Sequence, residues 1–302
     1  MQHRQLGKDG PEIPAIGLGA WPIGGGMGDL EEADSIATVR TAIDNGITLL
    51  DTAQAYRTSE GTLGRALKDG YRERCFLATK VSGSYKPKDI EEAIENSLRS
   101  LNTDYVDLYQ IHGWSNQDPI EDSMATMAKL QEQGKTRFIG ISNFNATQMQ
   151  TAYNIAPFHS SQPRYNMFDR NIEAEDLAYC AQTGIGILAH SPLAKGLLTG
   201  KYTPDYHFPE DDERSTFPRF QGDLFAQYLA VTDQLKTITA DKGCTMVQLA
   251  IAWILRRSEV TCVLVGAKNP NQVKDHINAA SITFSDDELQ KIDTLLQNTP
   301  KG

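Results

Sequence analysis

Three apolar runs of this chain end in side chains that hold charge or move protons: Leu49-Leu50-Asp51, Ala78-Thr79-Lys80 and Tyr109-Gln110-Ile111-His112. A tyrosine, Tyr56, follows the aspartate by five residues. Asp, Lys, Tyr and His all serve as general acids or bases when their surroundings set a suitable pKa. Taken singly, each has a plain structural reading. An aspartate at a strand end commonly caps the next helix, and a lone histidine is more often a satisfied core residue. Three such endings on consecutive runs, with the tyrosine close by, exceed what packing requires. Other runs end in polar residues too: Gly140-Ile141-Ser142-Asn143-Phe144, Ser161-Gln162 and Ala189-His190-Ser191-Pro192.

Placing these residues together requires a particular scaffold. Eight short β-rich runs recur along the chain: Ile16–Ala20, Ile47–Asp51, Phe76–Lys80, Tyr105–His112, Arg137–Ser142, Ser160–Gln162, Gly186–Ser191 and Thr261–Gly266. Helix-period segments lie between them, such as Ile90, Ile94, Leu98 and Leu101 on one face. Asp118-Pro119-Ile120-Glu121 reads as an N-cap followed by a first-turn proline, and Ser285-Asp286-Asp287-Glu288 as a capping box opening a last helix with Leu289, Ile292 and Leu296 inward. Strands alternating with helices imply parallel pairing, because each crossover needs a dozen or more residues. Eight units favour closure into a (β/α)8 TIM barrel, whose reacting groups sit past the C-terminal ends of the strands. Gln5–Leu6 and Glu12–Ile13 flank Gly7-Lys8-Asp9-Gly10 as an N-terminal hairpin expected to plug the barrel floor. Thr199 to Gly222 shows no clean period, and two helical segments, Asp223–Lys242 and Thr245–Arg257, precede the last strand. These are the extra helices expected near the C-terminus. No linker divides the chain, so residues 1–302 read as one domain.

Composition narrows the function classes. The 302 residues carry 29 Lys and Arg against 39 Asp and Glu, a net charge of −10, with 40% hydrophobic residues. Nucleic acid is an unexpected partner without clustered basic residues. No run approaches the roughly 18–20 apolar residues of a membrane span, and Met1-Gln2-His3-Arg4-Gln5-Leu6-Gly7 lacks the apolar core of a secretory signal. A cytoplasmic protein without a membrane partner is expected. Cys75, Cys180, Cys244 and Cys262 show no metal-ligand spacing and read as inert thiols.

The ordered motifs resemble the aldo-keto reductase family over nearly the whole chain. They run from Gly17-Leu18-Gly19-Ala20-Trp21 through Leu50-Asp51-Thr52-Ala53 with Tyr56, and Ser59-Glu60-Gly61-Thr62-Leu63-Gly64. They continue through Asp104-Tyr105-Val106-Asp107-Leu108-Tyr109-Gln110-Ile111-His112, Gly140-Ile141-Ser142-Asn143-Phe144 and Gln162 with Tyr165-Asn166, to Ser191-Pro192-Leu193-Ala194 and Gly200-Lys201-Tyr202. The resemblance implies an enzyme that reduces carbonyls with NADPH, using a catalytic tetrad of Asp51, Tyr56, Lys80 and His112. Reduction delivers hydride to carbon and a proton to oxygen, so a general acid is needed near neutrality. An ammonium about 4 Å from a phenol, at an effective dielectric of about 20, contributes roughly 4 kcal/mol. That is up to about three pK units, enough to bring Tyr56 towards 7 if Asp51 keeps Lys80 charged. His112 would direct the substrate oxygen.

No Gly-x-Gly-x-x-Gly occurs, and Gly196-Leu197-Leu198-Thr199-Gly200-Lys201-Tyr202 is one residue short of a phosphate loop. The resemblance implies instead a dinucleotide extended across the barrel rim. Ser142, Asn143 and Gln162 would meet the nicotinamide amide, with Trp21 and Asp51 beside them and His190 where relatives usually stack an aromatic ring. Ser191, Leu193 and Lys201 would meet the diphosphate, and Gly266, Lys268 and Gln272 the 2′-phosphate and adenosine. Lys268 replaces an arginine common in relatives, and His276 an asparagine near adenine. Lysine acts as a point charge rather than a fork, which weakens the expected preference for NADPH over NADH. Trp21 and Trp114, with Tyr56 and His112, would wall the site for a small-molecule carbonyl substrate, with no oligomeric state assigned. Gly24-Gly25-Gly26-Met27-Gly28 reads as a loop over the same rim, and Tyr206 to Phe220 as a lid. Two other classes compete. The family also supplies cofactor-binding regulatory subunits of potassium channels, though here the hairpin is expected at the very start, with no arm ahead of it. A metal-dependent barrel hydrolase would need His and Asp clusters at strand ends, and only His112 ends a strand beside an acidic neighbour, so no metal is expected.

Overall fold

Strand alternation builds this molecule from the inside out. The computed structural model describes residues 1–210 and 212–300. A hairpin of β1 (His3–Gln5) and β2 (Glu12–Pro14) comes first, then β3 (Ile16–Gly19), α1 (Glu32–Asp44), β4 (Leu49–Asp51) and α2 (Ser59–Ala66). β5 (Phe76–Val81), α3 (Pro87–Leu101), β6 (Val106–Ile111), α4 (Ile120–Glu132), β7 (Thr136–Ser142) and α5 (Ala146–Ile155) continue the alternation. β8 (Ser160–Gln162), α6 (Asp176–Thr183) and β9 (Gly186–Ala189) follow, then α7 (Gly222–Lys242), α8 (Met246–Leu255), β10 (Val260–Val265), α9 (Pro270–Asn278) and α10 (Asp286–Leu296). Strands β3 to β10 form a closed parallel barrel, in which β10 pairs with both β9 and β3 to complete the ring.

Successive side chains of a strand point to opposite faces. One set fills the barrel floor: Leu49, Ala78, Leu108, Leu188, Cys262 and Leu264 pack with Leu6 and Ile13 of the hairpin. The plug is therefore as expected, and its apolar side chains close the lower end. Two residues beyond Leu49, Ala78, Leu108 and Leu188 come Asp51, Lys80, Gln110 and His190, the last just past the end of its strand. The register pairs Asp51 with Ala78, two residues before Lys80, and Lys80 with Gln110, so these polar residues gather at the C-terminal ends of adjacent strands. The opposite faces of the strands pack under the helices; α3 buries Ile90, Ala93, Ile94, Leu98 and Leu101, the face the periodicity marks.

Strand ends differ from expectation by one or two residues. Ile47 is outside β4, because its N–H donates to Ala42 O at the end of α1 (2.9 Å). β9 stops at Ala189, since Ser191 takes a left-handed φ of 57° and His190 makes only an isolated bridge with Arg164. Asp118 does not cap α4. Pro119 holds that position, and the Asp118 carboxylate accepts from Tyr85 N and Ser115 Oγ instead. The Ser285–Glu288 capping box is present, with Ile292 and Leu296 buried and Leu289 half-buried. The two extra helices appear as α7 and α8, and every residue of α8 from Met246 to Leu255 except Val247 is buried.

Candidate active site

Asp51 ends β4, Lys80 is the penultimate residue of β5, and His112 is the first residue past β6. Their strands are neighbours, so strand order alone brings them to one sector of the C-terminal rim. Tyr56 reaches the same sector from the turn after β4, where its N–H donates to Ala53 O (2.9 Å).

Lys80 is fully buried and organises the centre. Its Nζ donates to Asp51 Oδ1 (2.5 Å), to Thr52 O (2.9 Å) and to Tyr56 Oη (3.4 Å). The other carboxylate oxygen of Asp51 accepts from Gln110 Nε2 (3.2 Å) and Gln162 Nε2 (2.9 Å). An ionised carboxylate only accepts, and here three donors converge on it. Burial pushes the Lys80 ammonium down, but Asp51 and Tyr56 more than offset it, and Lys80 stays above its ordinary pKa.

Tyr56 corrects one expectation. Burial lifts the phenol, Lys80 pulls it down and Asp51 lifts it again, so it is held above its ordinary value rather than brought towards 7. The first physical reason is burial of the phenol, and the second is distance. Lys80 lies closer to Asp51 than to Tyr56, and the carboxylate cancels much of the charge the phenol would otherwise feel. The ring sits edge-on against Trp21 (5.1 Å between centroids) and His112 (5.6 Å). His112 itself is driven down to about 4, first by burial and then by Lys80, with Asp51 opposing. At neutral pH it is an uncharged imidazole.

The remaining expected residues spread round the rim. Ser142 ends β7 and donates to Gln162 O (2.8 Å). Asn143, at φ 58°, donates through Nδ2 to His112 O (3.1 Å), and its Oδ1 accepts from His190 Nε2 (2.8 Å). His190 Nδ1 meets Ser191 Oγ (2.9 Å), and burial followed by the Lys80 charge pushes this ring to about 3. Trp114 packs edge-on against Phe144 (5.2 Å), on the β6–β7 side. Leu193 packs against the core below the turn that begins at Ser191. Gly266 follows β10 where a Cβ would meet Pro22 Cγ at 2.7 Å. Lys268 Nζ donates to Met27 O of the glycine-rich loop, and its backbone N–H donates to Gln272 Oε1 (2.8 Å). Lys201 Nζ lies over the Tyr202 ring, 4.8 Å from its centroid. His276 is buried on the inner face of α9, with Nδ1 unpartnered among the described residues.

Several contributors were not anticipated. Gln110 lies two residues before His112 on the same strand face, a parity signal available in the sequence. Ser82 Oγ lies 2.7 Å from His112 Nδ1. Among its described residues, the loop expected between Thr199 and Gly222 holds short 3₁₀ turns at Glu213–Ser215 and Pro218–Phe220; Asp211 lies outside the described residues. It is tied to the rim: Glu213 Oε1 accepts from Lys195 Nζ (2.5 Å) and Trp21 Nε1 (3.3 Å). Arg214 is buried against Asp212 (2.5 Å) and Tyr202 Oη (2.7 Å). Gly26 permits this arrangement, since a Cβ there would lie 2.1 Å from the Trp21 ring. The thiols are quiet: burial lifts Cys75 and Cys180 to about 12 and raises Cys262 further.

A closed parallel barrel carrying its titratable cluster at the C-terminal strand ends is a (β/α)8-barrel protein with an enzyme-type rim. Residues 15–297 match the model of the aldo/keto reductase family. The chain is 40% identical to aldo-keto reductase YhdN of Bacillus subtilis (strain 168), over 99% of this chain and 95% of that protein. It resembles the glycerol dehydrogenase AKR11B4 of Gluconobacter oxydans (TM-score 0.89, 34% identity, 99% and 96% of the two chains). It also resembles the holo form of aldo-keto reductase AKR11C1 of Bacillus halodurans (TM-score 0.82, 26% identity, 98% and 96%). The chain belongs to the aldo/keto reductase family. It is an oxidoreductase acting on carbonyl compounds, in a family that generally uses a nicotinamide cofactor. No helix among the described residues is long and apolar enough to cross a membrane.

Proposed function

We propose that this protein reduces an aldehyde or ketone to the alcohol with NADPH, with Tyr56 as the proton donor. The observation that carries the reading is the Lys80 ammonium held by Asp51 within hydrogen-bond reach of the Tyr56 hydroxyl. Nicotinamide, when bound, would supply the hydride for the carbonyl carbon. Tyr56, protonated at neutral pH, gives its proton to the carbonyl oxygen. The phenolate left behind is stabilised where it forms, because Lys80 Nζ already points at that oxygen. Asp51 keeps Lys80 charged throughout, and the two glutamines keep Asp51 in place. Neutral His112, whose ring lies edge-on to that of Tyr56, would direct the substrate oxygen.

The residues present suit a phosphorylated dinucleotide. Lys268 is pushed below its ordinary pKa by burial and then by Arg214 and Lys201, and Lys201 likewise by burial and Arg214. Cations gathered at this cost are relieved by an anion. Lys268 and Gln272, at the N-terminal end of α9, would hold the 2′-phosphate and adenosine end, where backbone N–H groups favour negative charge. Ser191, Leu193 and Lys201 would meet the diphosphate, Gly266 the adenosine end with Lys268 and Gln272, and Ser142, Asn143 and Gln162 the nicotinamide amide. His190 offers less ring surface than the aromatic usual at its position. Trp21 and Trp114 favour apolar carbonyl substrates. The location proposed is the cytoplasm.

The test is a panel of aldehydes and ketones, followed by absorbance with NADPH and then NADH. Oxidation of NADPH that depends on a carbonyl is expected, with higher kcat/KM than for NADH. No turnover with any carbonyl would remove the reading, and equal efficiency with the two cofactors would remove the NADPH preference.

A further inference from the structure

Neutral imidazole carries one N–H, and which nitrogen holds it decides whether a histidine donates or accepts at its free edge. His112 Nε2 makes no hydrogen bond among the described residues and is not sealed from solvent, so it is the nitrogen left for a substrate oxygen. His112 Nδ1 meets one partner, Ser82 Oγ, at 2.7 Å. The barrel register produces this contact. Val81 and Ile111, the last residues of β5 and β6, pair with each other, and the residues that follow them are Ser82 and His112. His112 is also held by its backbone, which donates to Val81 O (3.2 Å) and accepts from Asn143 Nδ2 (3.1 Å). Its ring is wedged edge-on against Tyr56 on the other side.

We infer that Ser82 is a positioning residue that fixes the tautomer of His112: its hydroxyl donates to Nδ1, which leaves the proton on Nε2, aimed at the substrate oxygen. The inference rests on the carbonyl-reduction reading, which needs a donor where negative charge gathers on oxygen. The burial that holds His112 uncharged at neutral pH supports it, since an imidazolium would donate from both nitrogens and leave Ser82 nothing to decide. A serine hydroxyl can donate or accept, and donation to Nδ1 is the role that leaves Nε2 as the donor to the substrate oxygen. The hydrogen bond adds most in the transition state, so its loss falls on kcat rather than on KM.

Two measurements test this on the full chain. Long-range ¹H–¹⁵N spectra at pH 7, with His112 assigned by the disappearance of its signals in His112→Ala, are expected to show Nε2 protonated and Nδ1 unprotonated. The reverse pattern overturns the proposal. Kinetics with the best carbonyl of the panel are expected to show kcat about tenfold lower in Ser82→Ala, KM within about twofold, and kcat restored to within about twofold in Ser82→Thr. Wild-type kcat in Ser82→Ala overturns the proposal, as does a Ser82→Thr variant as slow as Ser82→Ala. If Ser82→Ala does not fold, the wild-type spectrum and Ser82→Thr decide. If the wild-type protein turns over no carbonyl, the function reading fails, while the spectrum still decides the tautomer.

Discussion

Replacing Asp51 by asparagine would keep the shape of the side chain and remove the charge that Lys80 faces. Lys80 and Asp51 are both essentially inaccessible, with side-chain exposures of 0% and 3%. At 2.5 Å and an effective dielectric of about 20, their attraction is roughly 6–7 kcal/mol. Desolvation of each ion offsets much of this, so the intact pair contributes little net stability, whereas removing one partner strands a buried charge at about 3–5 kcal/mol. Unfolding entropy at about 2.1 cal/mol/K per residue gives roughly 0.6 kcal/mol/K for 302 residues. The expected fall in Tm for Asp51→Asn is therefore about 5–8 °C. The double variant Asp51→Asn with Lys80→Met removes both charges, and it should recover at least half of that fall while remaining inactive. Scanning calorimetry of the cofactor-free protein reads both. A single variant within about 1 °C of wild type, or a double variant less stable than the single one, would refute the argument that the charge pair, rather than the shape of the side chains, governs this centre.

Tyr56→Phe should lower kcat by about a thousandfold or more while the affinity for NADPH, read by fluorescence titration, changes little; a variant retaining over a tenth of the rate would end the assignment of Tyr56 as the acid. Lys268→Ala should raise KM for NADPH about tenfold or more and leave KM for NADH nearly unchanged, in line with one lost charge-assisted phosphate contact; equal changes for both cofactors would move the 2′-phosphate elsewhere. His190 and His276 are pushed to about 3 and about 4, mainly by burial, against about 6.5 in an unfolded chain. Their neutral forms cost nothing above pH 6.5, and below it the unfolded chain binds protons that the folded one refuses, so stability should fall as pH drops from about 6.5 towards 4. Urea midpoints at pH 7, 6 and 5 check the slope, and identical midpoints would contradict it.

Much of this protein is written in local patterns. Alternating β-rich runs and helical periods imply parallel strands, eight of them imply closure, and strand-terminal Asp51, Lys80 and His112 mark one rim, because side-chain direction along a strand and the helix repeat are properties of the backbone itself. The capping box at Ser285 and the irregular stretch after Thr199 are legible for the same reason. Other features depend on which strands become neighbours and in what register. The convergence of Gln110 and Gln162 on one oxygen of Asp51 joins residues from three strands, and Ser82 meets His112 only because Val81 pairs with Ile111. Glu213 reaches Trp21 across nearly two hundred residues of chain. The acidity of Tyr56 belongs to this second kind. A charge beside a phenol predicts a low pKa, but burial and the closer contact of Lys80 with Asp51 reverse the direction, and both are set by three-dimensional distance that residue spacing does not carry.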